Sequence, residues 1–85
     1  MGRGVVVRLY AAAREAAGTD RLEVPISSPR GTLGAVLDRL IAEYPALAPL
    51  LPHCRFARNG TYVRGRAAAV RPGDEIAVHP PYSGG

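Results

Sequence analysis

Lysine and tryptophan are both missing from this sequence. All 11 basic residues are arginines, set against 7 acidic ones, for a formal charge of +4. A compositional bias toward arginine is enough to explain this. Its side effect is chemical: without a side-chain amine, only the Met1 amine could accept an acyl group. Cysteine occurs once, as Cys54, so no internal disulfide can form and nothing calls for an oxidising compartment. The two histidines, His53 and His79, are too far apart for ligand spacing, and no metal site is expected. No apolar run approaches the roughly 20 residues that span a bilayer, and the N-terminus carries no signal-peptide core. The expectation is therefore a cytoplasmic protein with no membrane partner. Aromatic residues make up only 6%, and the arginines from Arg8 to Arg71 are dispersed rather than interleaved with them. A nucleic-acid stacking platform needs that interleaving, so nucleic acid is not an expected partner.

What is present reads as one small globule. At 85 residues there is room for a single core, and 47% hydrophobic with 21% charged residues is ordinary for a folded domain. Val5 to Tyr10 is β-branched and aromatic, a first strand that turns Val5, Val7 and Leu9 to one face and Val6, Arg8 and Tyr10 to the other. Ala11–Ala17 is alanine-rich and stops at Gly18, which predicts a short helix. Arg21 to Ile26 alternates as a second strand, and Pro25 confines it to a sheet edge. Thr32 is a helix cap by type, followed by Leu33, Val36, Leu37, Leu40, Ile41 and Tyr44 at helical spacing, with Pro45 ending the run. Pro49 and Pro52 then predict an extended connection.

Residues 54–60 alternate and end in Asn59-Gly60, a hairpin signal, and Tyr62-Val63 resumes a strand. Arg71-Pro72-Gly73-Asp74 has a type II turn pattern. Glu75 to His79 is the last strand, with Ala77 and His79 outward, and Asp74-Glu75 is expected to be a solvated pair. The predicted class is α+β: a mixed sheet packed on one main helix. With the first and last strands parallel at its centre, that is the β-grasp, or ubiquitin-like, fold. Residues 1–79 are expected to form the domain and residues 80–85 a flexible tail.

The chain offers no catalytic constellation. Gly31-Thr32-Leu33-Gly34 lacks the lysine and spacing of a phosphate loop, and Cys54 is expected to serve packing. What remains is the tail, Pro80-Pro81-Tyr82-Ser83-Gly84-Gly85. The prolines keep it from curling into helix, and the absence of a Cβ at Gly84 and Gly85 suits a narrow slot in another protein. Fully extended, six residues at 3.3–3.6 Å each reach about 20 Å. Any chemistry is expected at the Gly85 carboxylate.

The stretch Leu9-Tyr10-Ala11-Ala12-Ala13-Arg14-Glu15 with Gly18, the Thr32-led helix ending in Tyr44-Pro45, and Asn59-Gly60 resemble the MoaD family of sulfur carriers. So does Gly73-Asp74-Glu75-Ile76-Ala77 running into Pro80-Pro81 and Gly84-Gly85, the most specific part. His79 stands where that family usually has an apolar residue. Arg55 and Arg58 make their strand more basic than the pattern. The resemblance implies a carrier rather than an enzyme on its own, the small subunit of molybdopterin synthase, with no bound cofactor. A MoeB-like (E1-like) adenylating enzyme would spend ATP and Mg²⁺ to activate Gly85, whose carboxylate would become a thiocarboxylate. A MoaE-like large subunit would then take the sulfur. The expected docking residues are Val6, Arg8, Tyr10, Ala77, His79, Pro80, Pro81 and Tyr82. The alternatives are a carrier for the thiamin thiazole or cysteine, a ubiquitin-like protein modifier, or a small basic RNA-binding module. The Ala11–Gly18 segment argues against a ThiS-like carrier, whose chains are typically shorter.

Overall fold

The computed structural model describes residues 4–26 and 31–81. Strand β1 (Gly4–Leu9) leads through helix α1 (Ala11–Ala17) to β2 (Arg21–Pro25), and then to the main helix α2 (Leu33–Glu43). Two short 3₁₀ turns, Pro45–Leu47 and Leu51–His53, precede β3 (Arg55–Arg58), β4 (Thr61–Val63) and β5 (Glu75–His79). The sheet order is β2-β1-β5-β3-β4, with β1 and β5 parallel and the other pairs antiparallel. This is the expected β-grasp, with first and last strands side by side at the centre. Pro25, which cannot donate to a ladder on its outer side, lies in the edge strand as anticipated.

One face of the sheet meets α2. Val5, Val7, Leu9, Ile76 and Val78 from the central strands pack with Leu33, Val36, Leu37 and Leu40 of the helix, all nearly inaccessible to water. The start of α2 is fixed by Thr32, whose hydroxyl accepts the Ala35 amide at 3.2 Å. Gly18 closes α1 at φ 76°, its amide donating to the Arg14 carbonyl. Asn59 and Gly60 both take positive φ, 49° and 89°, the two-residue hairpin whose twist matches its strands. The turn before β5 closes from the Asp74 amide to the Arg71 carbonyl at 3.0 Å, with Gly73 at φ 93°.

Two expectations fail. The connection after α2 is not extended. Pro45 and Pro52 lie in the first turns of the 3₁₀ segments, where their fixed φ suits helical geometry and the missing N–H would be unpaired in any case. Those turns carry Leu47 and Leu51 into the core. Asp74 is also not solvated: the residue is 8% exposed. Alternation turns Arg58 toward the helix side of the sheet, and there it meets Asp74. The Asp74 carboxylate accepts from Arg58 Nε at 2.7 Å, the Arg71 amide at 2.8 Å and Asn59 Nδ2 at 3.0 Å. Asn59 Oδ1 in turn accepts the Glu75 amide at 2.8 Å. Burial opposes ionisation of Asp74, but the Arg71 amide, the Asn59 amide and Arg58 outweigh it and hold the carboxyl below its ordinary range. The hairpin tip and the turn before β5 are thereby tied together. Only Glu75 is exposed as expected, pairing with Arg8 at 3.6 Å.

Candidate docking face at the root of the tail

The face of the sheet opposite α2 is built by the residues that alternate with the core. Parallel pairing sets Val6 beside Glu75 and Arg8 beside Ala77. One step further along, Tyr10 stacks on His79, with ring centroids 4.8 Å apart and planes inclined by 7°. Five expected docking residues thus share one surface: Val6, Arg8, Ala77 and His79 are half-buried, and Tyr10 is exposed. Pro80 follows half-buried, with Pro81 exposed. Tyr82, Gly84 and Gly85 lie outside the described residues, so the tail's chemistry rests on sequence.

Tyr10 is held in place by backbone on both sides. It is the residue that caps α1, and Ala11 after it takes φ 51°, a left-handed conformation that costs a residue with a Cβ about 1 kcal/mol. That sharp exit ends the strand and leaves the Tyr10 ring over β5. The stacked pair adds on the order of 0.5–1.5 kcal/mol beyond the area it covers.

Sequence reasoning missed two members of this face. Tyr62 meets His79 edge-on at 6.2 Å between centroids, and the Arg55 guanidinium lies 6.0 Å from the Tyr62 ring centre. Arg55 is the register partner of His79, and Tyr62 is opposite Ala57. The hairpin signal at Asn59-Gly60 already implied the Ala57–Tyr62 pairing. What the sequence did not reveal is that β3 lies beside β5. The result is a row of rings, Tyr10–His79–Tyr62, ending in Arg55 and crossing the sheet at the point where the tail departs.

The Arg8–Glu75 pair is half exposed and contributes little to stability. Among the described residues no three His, Cys, Asp or Glu gather into a cluster fit for a metal ion. No helix among them is long and apolar enough to cross a membrane. Cys54 donates its thiol hydrogen to the Leu50 carbonyl at 3.3 Å, and burial pushes its pKa up, which disfavours the reactive thiolate.

A sequence model of the ThiS family matches residues 7–85. The chain belongs to the ThiS family. It is 37% identical over 82 residues to the molybdopterin synthase sulfur carrier subunit of Chlamydomonas reinhardtii, covering 95% of this chain and 98% of that one. It is also 36% identical over 87 residues to small archaeal modifier protein 1 of Haloferax volcanii, covering 92% and 97%. The crystal structure of that archaeal modifier superposes with a TM-score of 0.83 at 31% identity, covering 96% of this chain and 99% of that one. The ThiS family, as these relatives represent it, holds both sulfur carriers and ubiquitin-like modifiers on one fold, and the family expected from the MoaD-like motifs is the one found.

Proposed function

We propose that this ThiS-family protein is a sulfur carrier whose Gly85 becomes a thiocarboxylate and supplies sulfur to molybdopterin synthesis. The observation that carries the reading is the continuity of β5 with the Pro-Pro tail, beside a row of aromatic and basic side chains. The domain has there a docking face at the base of a reactive end. The similarity to a relative named as a molybdopterin synthase sulfur carrier subunit supports the choice of pathway.

The chemistry follows from the carboxylate. As an anion it is a poor electrophile. Attack of a Gly85 oxygen on the α-phosphorus of ATP, with Mg²⁺ on an E1-like (MoeB-like) enzyme, expels pyrophosphate and leaves an acyl adenylate. A sulfide-level nucleophile then displaces AMP at the acyl carbon. The product is a soft nucleophile, anionic at neutral pH, that a MoaE-like large subunit accommodates because Gly84 and Gly85 have no side chains. Val6, Arg8, Tyr10, Ala77 and His79 hold the partner surface, while Pro80, Pro81 and Tyr82 direct the tail. ATP and Mg²⁺ belong to the activating enzyme.

Incubation with the adenylating enzyme, ATP and a sulfur donor should add about 16 Da to the C-terminal peptide, sulfur for oxygen, mapped to Gly85 by fragmentation. A peptide unchanged under these conditions would refute the carrier. A second reading has its own support in the similarity to archaeal modifiers. In that case the activated Gly85 acylates a lysine amine, and the same experiment in extract yields isopeptide-linked adducts in place of the 16 Da gain.

A further inference from the structure

A groove of about 690 Å³ runs between α2 and the β3–β4 hairpin, within the roughly 300–1,000 Å³ range of binding clefts. We propose that it receives an extended, apolar segment of a partner protein, flanked by acidic residues, which pairs with β4 as a further strand. This goes beyond the tail chemistry and does not depend on it.

Three features define the occupant. The first is a free backbone edge. Among the described residues β4 ends the sheet and pairs only with β3. The Asn59 amide bonds to the Glu75 carbonyl at 2.8 Å, which sets the phase of β3: residues 55, 57 and 59 turn their backbone groups to β5, and 56 and 58 turn theirs to β4. Arg58–Thr61 and Phe56–Val63 are therefore the bonded pairs of the hairpin, and the N–H and C=O of Tyr62 face outward. An incoming strand would find a donor and an acceptor ready, the geometry of strand addition.

The second is the floor. Val63 is on the helix-side face, as its pairing with Phe56 requires, and Leu37, Ile41 and Phe56 continue the apolar surface beneath the edge. Every second side chain of a strand laid along β4 would drop onto it. The third is charge. Arg55, Arg64 and Arg66 line the groove, and among the described residues no carboxylate does. Arg66 is already engaged by Asp38 at 2.6 Å and the Gly34 carbonyl at 3.1 Å. Arg55 and Arg64 have no carboxylate partner among the described residues. Acidic flanks on the occupant would supply one. At the opposite edge of the sheet the groove lined by Val24, Pro25 and Arg39 is smaller, about 230 Å³, and the proline there removes a donor.

The test is selection of short extended peptides from a random phage library against the full chain, followed by amide NMR with the selected peptide. Enriched sequences should alternate apolar residues between Asp or Glu flanks. Binding should shift Tyr62, Val63 and Arg64 amides, slow exchange at Tyr62, and leave Val24 and Val6 unmoved. Arg64→Glu should weaken the peptide about ten-fold with the spectrum otherwise folded, and a proline at the peptide's centre should abolish binding. The proposal is overturned if nothing enriches, or if basic or helix-patterned peptides emerge. Shifts confined to Val6, Arg8 and Tyr10, with β4 unmoved, or concentration-dependent dimers of the chain that occupy β4, would overturn it too.

Discussion

Replacing Asp74 by Asn removes one charge and almost no volume, yet it should cost a large share of the stability of this domain. Both carboxylate oxygens face donors: Oδ2 takes Arg58 and the Arg71 amide, and Oδ1 takes Asn59. An amide has one acceptor end, so in either orientation its NH₂ points at another N–H. Asn59 cannot flip to compensate, because its own Oδ1 holds the Glu75 amide. Hydrogen bonds to a charged group are worth about 1.5–3 kcal/mol net. The Arg58 side chain is a third exposed, which weakens its share, and we expect a total loss of about 2–3 kcal/mol. For a domain of this size that lowers Tm by roughly 10–20 °C. The sign with pH follows from the lowered carboxyl. Its contribution is complete above the unfolded value near 4 and disappears as pH falls through the folded value. Urea unfolding of parent and D74N should differ fully at pH 7 and converge in strong acid. A deficit below about 0.5 kcal/mol at neutral pH, or one that persists unchanged at pH 2, would refute the reasoning.

Deleting Gly84-Gly85 should abolish sulfur loading by mass spectrometry while leaving the thermal melt nearly unmoved, since a terminal diglycine buries little. Tyr10→Ala and His79→Glu each dismantle the stacked pair, and should weaken binding to the adenylating enzyme and the large subunit by about ten-fold in calorimetry, at 1–2 kcal/mol each, with the fold intact. Leu40→Ala opens the core beneath the sheet and should cost about 2–5 kcal/mol in urea unfolding, without altering tail chemistry in the fraction that stays folded.

The parts of the fold that were legible are those where one residue's backbone preference decides. Val5 to Leu9 could only be a strand, the Thr32-led stripe only a helix, and Asn59-Gly60 only a tight hairpin. The outward set Val6, Arg8, Tyr10, Ala77 and His79 was legible because it required just one tertiary assumption, that first and last strands are neighbours. Arg55 and Tyr62 needed a second, the placement of β3 against β5. Asp74 needed a third: a carboxylate at a turn reads as solvated until three donors from Arg58, Asn59 and Arg71 close around it. The prolines misled for a related reason. Proline forbids a helix interior but begins a 3₁₀ turn readily, and the burial of Leu47 and Leu51 decided between the two.

The tail issues from the central strand of the five, held on both sides near its exit by β1 running parallel and β3 running antiparallel. A partner that draws the tail into a deep slot pulls along the axis of β5. That load falls on the hydrogen bonds of both ladders together, sliding them lengthwise instead of peeling them one by one. A terminus on β2 or β4 would unzip an edge under the same pull. The placement of β5 makes the handle mechanically stiff, so a partner can grip and drag the tail without unravelling the domain that delivers it.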